Sequence, residues 1–147
     1  MKLSTFDALL KALNKAGVRF LVAGGFAVNA HGYVRATDDV DLVIQLDSDN
    51  IVKSFKALAS IGYQPVVPVS AEQFADPRQH GVERKGMMVL SFHSRKHHGI
   101  PIDIFVTEPF DFDRAYKGAL RGEVQPGMEA RFVSIPALIR MEELANR

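Results

Sequence analysis

The chain has 147 residues, 47% apolar and 24% charged, with a formal net charge of +1 and no cysteine. That length predicts one domain spanning 1–147 with a core of its own, the charge balance supplies no global field toward nucleic acid or membrane, and the missing cysteines exclude disulfides, thiolate zinc sites and a cysteine nucleophile. No apolar run nears the roughly 18 residues of a membrane span, and Asp7, Lys11 and Lys15 interrupt the N-terminal apolar stretch where a signal peptide would be continuous, so the expected location is cytoplasmic, with no membrane partner.

Ser4 followed by Asp7 reads as a helix start, and Phe6, Leu9, Leu10 and Leu13 recur at helical spacing until Gly17. Phe20 to Ala23 reads as a short buried strand, and Gly24-Gly25 turns the chain into a second helix from Phe26 to about His31. Asp39 to Leu46 is the next strand. Asp47-Ser48-Asp49-Asn50 caps a helix whose stripe is Ile51, Phe55, Leu58 and Ile61, ending at Gly62. Pro65 and Pro68 bracket an edge strand or extended loop, and Ser70 with Gln73 caps one helical turn. Residues 76 to 86 lack periodicity and read as a loop. Met87 to Phe92 and Ile100 to Val106 are strands of a hairpin with a basic tip, Ser94-Arg-Lys-His-His-Gly99. Residues 107 to 129 show little pattern beyond one helical turn around Arg114. Phe132-Val133 is a short strand, and Ser134 with Pro136 opens the last helix. The fold class is α/β (α+β), a mixed β-sheet flanked by helices.

The chemistry concentrates in one run: Gly24-Gly25, nine residues, then Arg35-Ala-Thr37-Asp-Asp39-Val-Asp41. Asp39 and Asp41 stand two apart on a strand, so both carboxylates leave the same face with Cα atoms about 6.5 Å apart. Two carboxylates so placed can converge on a hard cation such as Mg²⁺. Asp103, alone within Ile100 to Val106, costs several kcal/mol as a buried charge unless a partner or metal compensates it. If its strand lies beside that of Asp41, three carboxylates meet, enough for a two-metal arrangement. Read separately, Asp39 and Asp41 fit a solvated strand edge as well, and Asp103 fits a salt bridge to an arginine. Gly24 and Gly25 fit either a phosphate cradle of backbone N–H groups or a tight strand–helix turn. Arg35 and Thr37 share the parity of Asp39 and Asp41 and would face the same site on an extended strand. His97 and His98 point apart on a hairpin tip and read as solvated, while His31 and His80 read as structural. The absence of Gly-x-Gly-x-x-Gly and of Gly-Lys-Ser/Thr excludes dinucleotide and P-loop readings.

Gly24-Gly25-Phe-Ala27, followed by His31-Gly32-Tyr-Val-Arg35-Ala-Thr37-Asp-Asp39-Val-Asp41, resembles the nucleotidyltransferase superfamily with the polymerase β-type fold. More narrowly the run is similar to the minimal nucleotidyltransferases of the AbiEii toxin type, whose third carboxylate Asp103 matches. The resemblance implies a nucleoside triphosphate bound with Mg²⁺ (or Mn²⁺) and transfer of its nucleotidyl group to an acceptor hydroxyl of RNA, protein or a small molecule. It also implies that Asp39, Asp41 and Asp103 are the catalytic metal ligands, with Gly24, Gly25, Arg35 and Thr37 on the substrate. A cognate toxin or antitoxin partner, in a toxin–antitoxin or phage-defence pair, follows from the same resemblance. The last helix departs from the pattern: Arg140-Met141-Glu142-Glu143 stands where many relatives carry a basic residue toward the triphosphate. Either Arg140 substitutes or triphosphate binding is weakened, and the second alternative leaves a catalytically weak, antitoxin-like binding partner. A metal-dependent phosphohydrolase is the third reading, because the same carboxylates can activate water.

Overall fold

The computed structural model describes residues 3–33, 36–76, 89–96, 100–123 and 126–145. In chain order the elements are α1 (Leu3–Lys15), β1 (Phe20–Ala23), α2 (Gly24–Ala30), β2 (Val40–Ile44), α3 (Ser48–Ser60), β3 (Gln64–Pro65) and α4 (Ala71–Ala75). They continue with β4 (Val89–His93), β5 (Ile102–Phe105), α5 (Phe112–Lys117), β6 (Leu120–Glu123), β7 (Glu129–Phe132) and α6 (Ile135–Ala145). The strands form one mixed seven-stranded sheet in the order β3-β4-β5-β2-β1-β7-β6. Pairing is antiparallel except for β2 with β5 and β1 with β7. None of the described helices is long and apolar enough to cross a membrane.

Alternation along the strands divides the sheet into two faces. Phe20, Val22, Val40, Leu42, Ile44, Leu90, Phe92, Ile102 and Ile104 point to one side, where Leu9, Leu10 and Leu13 of α1 and Ile51 and Leu58 of α3 cover them. Each such side chain, fully buried, contributes about 1.5–3 kcal/mol of transfer free energy. The other face is divided. Leu21, Ala23 and Val43 lie under a smaller cluster that includes Phe112 of α5 and Met141 of α6. The same face of β5 and β4 carries Asp103 and Ser91, where the second layer stops.

Local chemistry explains most boundaries. Asp47 caps α3 by accepting from the Asn50 N–H, and Ser70 with Gln73 forms a reciprocal capping box on α4. Asn50, buried at 5% exposure, accepts from the Arg19 N–H at 2.8 Å and donates to the carbonyls of Arg19 and Gln45, both at 2.9 Å. One amide thereby ties the entry of β1, the exit of β2 and the start of α3. Two expectations change. Helix α2 starts at Gly24 itself rather than at Phe26, because positive φ at Gly24 (+61°) lets the strand enter the helix without an intervening turn. The helical turn expected around Arg114 is α5, but the stretch 107–129 also holds β6, which pairs with β7 although only the latter's end is apolar. That hairpin is held by exposed chemistry, such as Arg121 on Glu129 at 2.9 Å, which leaves no hydrophobic alternation to read. The loop placed at 76–86 and the hairpin tip at His97 and His98 fall almost wholly outside the described residues.

Candidate active site

Strand β2 runs beside β5 in a register that sets Asp41 opposite Asp103, and beside β1 in a register that sets Asp41 opposite Ala23. Asp39 precedes the strand by one residue and keeps the parity of Asp41. One carboxylate oxygen from each of Asp39, Asp41 and Asp103 lies within 4.8 Å of the others, and all three residues are half-buried. Strand pairing thus converts a local Asp-x-Asp and a remote aspartate into one cluster.

The cluster is electrostatically strained when bare. Burial first, then the charges of Asp39 and Asp103, push the Asp41 carboxyl from its ordinary 3.8 up to about 6. Ser91 on β4, opposite Asp103, donates its hydroxyl to Asp103 Oδ1 and fixes that side chain's rotamer. Thr37 donates to the Asp39 carbonyl at 3.2 Å, which holds the backbone of the segment entering β2. A methyl group at Gly24 would overlap Asp41 Oδ2 and approach its Cγ to 2.9 Å, so glycine is required twice over, by φ and by the carboxylate it abuts.

A cleft of about 400 Å³ opens over Asp39 and Asp41 but is not lined by Asp103, with Gly24 and Gly25 on one wall and Leu138, Met141 and Glu142 of α6 on another. Thr37, Asp39 and Asp41 also line it. Two further acids reach it that the sequence reading missed, Asp38 and Glu142. Neither had a periodic signal: Asp38 is the off-parity neighbour of Asp39, and Glu142 becomes visible only once α6 is docked. Arg140 lines a different groove, beside Arg114 and Glu143, so it does not take the place of a basic residue in the cleft. Among the described residues the cleft lining carries no cation. Arg35 lies outside the described residues. His31 is structural as expected, its Nε2 2.9 Å from the Val133 carbonyl.

Three hard oxygen donors that converge this closely could hold a divalent cation. Comparison with known proteins agrees at the level of the fold. No family model matches the sequence, and a search of curated proteins finds no match. Among solved structures, ANT(2'')-Ia in complex with adenylyl-2''-tobramycin superposes with a TM-score of 0.60 at 15% identity, over 97% of this chain and 75% of that one. A candidate nucleotidyltransferase from Thermotoga maritima gives 0.63 at 14% identity, over 99% and 84%. The solution structure of ANT(2'')-Ia, described as an antibiotic-resistance factor, gives 0.57 at 15%, over 95% and 70%. The mixed sheet and its helices are those of a nucleotidyltransferase fold.

Proposed function

We propose that the protein is a nucleotidyltransferase that moves a nucleoside monophosphate from a nucleoside triphosphate to an acceptor hydroxyl. The observation that carries this reading is the convergence of Asp39, Asp41 and Asp103, with Asp41 packed against Gly24, on a nucleotidyltransferase fold. In the reaction the acceptor oxygen bonds to the α-phosphorus, the bond from that phosphorus to the bridging oxygen breaks, and pyrophosphate leaves. The hydroxyl proton passes to a carboxylate of the cluster or to solvent. A divalent cation on Asp39, Asp41 and Asp103 would supply positive charge to the phosphates and make the acceptor hydroxyl more acidic. The chain's own contribution is positional. Gly24 and Gly25 leave backbone exposed on the cleft wall, Thr37 fixes the segment bearing Asp39, and Ser91 orients Asp103.

The AbiEii-type toxin role and a cognate partner protein rest on the motif resemblance alone. A second reading, a nucleotidyltransferase fold acting as an antitoxin-like partner with weak nucleotide binding, draws support from Glu142 in the cleft and from the position of Arg140. The test is incubation with each α-labelled nucleoside triphosphate, Mg²⁺ and a cell extract of RNA and protein. Transfer predicts label on an acceptor and release of pyrophosphate, both lost in Asp103→Asn. Free monophosphate would indicate hydrolysis, and no product with any nucleotide would support the binding partner.

A further inference from the structure

On the far side of the carboxylates lies a second concavity with the opposite charge. Its position follows from register. Ser91, Asp103 and Asp41 form one row across β4, β5 and β2. Two residues further along β4 and two back along β5, about 6.5 Å away, the same face carries His93 and Pro101. His93 pairs with Gln64 on β3, and Val40 N–H donates to the Pro101 carbonyl at 3.1 Å, which sets Asp39 level with this second row. Gln64, His93 and Pro101 belong to the lining of a groove of about 740 Å³, so the groove comes within two residues of Ser91 along β4 and of Asp103 along the chain entering β5.

The groove's character differs from that of the cleft. Arg95, Lys96 and His93 line it, all exposed, and its described lining includes no carboxylate. The cleft lining includes Asp38, Asp39, Asp41 and Glu142. Between the cations the groove is apolar, with Pro65, Val66 and Pro101 in its lining and Val66 54% exposed. The basic turn is seated: Gly62 after α3 has φ +89°, and a methyl there would meet Ser94 Oγ at 3.1 Å and Lys96 Cβ at 3.8 Å. Arg95 and Lys96 thus ride on the C-terminal end of α3, where the helix dipole favours cations.

We infer that this groove takes the end of a single-stranded RNA, with phosphates on Arg95 and Lys96, bases against His93 and the Pro65–Val66–Pro101 lining, and the terminal hydroxyl directed toward Asp39 and Asp103. Cations that track a phosphate backbone are the electrostatic half of sequence-tolerant single-strand binding, and the exposed His93 ring in the lining offers the one aromatic surface among the described residues there on which a base could stack. A polycationic aminosugar would meet like charge here, so charge complementarity selects a polyanionic acceptor. The acceptor role rests on the transfer reading proposed above; the RNA-binding surface is tested separately.

The experiment is fluorescence anisotropy of a short 5'-fluorescein oligoadenylate ending in a free 3'-hydroxyl, titrated with the full chain over a range of salt. Parent protein binds, and Arg95→Ala with Lys96→Ala lowers the slope of log affinity against log salt by about 1.4 for two lost phosphate contacts. Arg95→Glu with Lys96→Glu weakens binding by about tenfold or more. An unchanged melting temperature confirms that the variants fold. Equal affinity of parent and reversed-charge variant, or displacement of the RNA by polyglutamate at matched charge, would overturn the groove. RNA binding that depends on Arg95 and Lys96 in a protein without any Mg²⁺–nucleotide melting shift would overturn the acceptor role alone.

Discussion

Asp41→Asn should make the metal-free protein more stable at pH 8, against the usual outcome of changing a half-buried side chain. Burial and the neighbouring Asp39 and Asp103 raise the Asp41 carboxyl from 3.8 to about 6. The folded state therefore holds this proton more tightly than the unfolded chain does. Stability contributed by the protonated form is complete below about pH 4, declines as pH rises, and is lost above about pH 6. The full shift corresponds to at most about 3 kcal/mol. The side chain faces an open cleft, so solvent screening reduces the expected penalty to about 1–2 kcal/mol. Asparagine keeps the shape against Gly24 and removes the charge, so the variant should melt about 3–7 °C above the parent at pH 8 in chelator. The gain should shrink toward zero as pH falls to 4. Adding Mg²⁺ reverses the order, because cation binding stabilises the parent and not the variant. A variant less stable than the parent at pH 8 in chelator would refute the reasoning, since it would mean that Asp41 is compensated within the protein.

Two further substitutions test the framework of the site. Gly24→Ala meets both the positive φ and the Asp41 carboxylate, so it should cost about 1–3 kcal/mol in denaturant titration and abolish any Mg²⁺-dependent melting shift; a neutral result would show that the β1–α2 junction relaxes freely. Asn50→Ala removes the side-chain partner of the Arg19 N–H and of the Gln45 carbonyl and one of the two donors to the Arg19 carbonyl, and should cost about 2–4 kcal/mol while leaving nucleotide affinity of the folded protein unchanged. A loss under 1 kcal/mol, on the order of one ordinary hydrogen bond, would mean that water replaces the amide.

Much of the layout was legible because the strands bearing the site are also the most apolar. Phe20–Ala23 emerges with the predicted bounds, and the parity of Asp39 and Asp41 follows from strand geometry once β2 is placed. The convergence with Asp103 was conditional on β2 lying beside β5, a long-range pairing that no local pattern encodes; the observed register supplies it. Gly24 was readable as a turn residue, but its contact with Asp41 depends on the β1–β2 register. Glu142 and Ser91 escaped notice because each acquires meaning only from a neighbour distant in sequence, and Asp38 because its parity is opposite to that of Asp39. The β6 strand escaped for another, since Leu120 to Glu123 is largely exposed and has no alternation.

The central claim is a divalent-metal nucleotide site on Asp39, Asp41 and Asp103, and thermal melting tests it most directly. Parent protein and the Asp39→Ala/Asp41→Ala variant would each be melted with ATP, GTP, CTP and UTP, with and without Mg²⁺. A ligand at 100 times its dissociation constant adds about 2.7 kcal/mol, several degrees for a domain of this size. The account predicts such a shift with at least one nucleotide, dependent on Mg²⁺ and absent from the variant. An equal shift in both proteins, or no shift with any nucleotide, would contradict it.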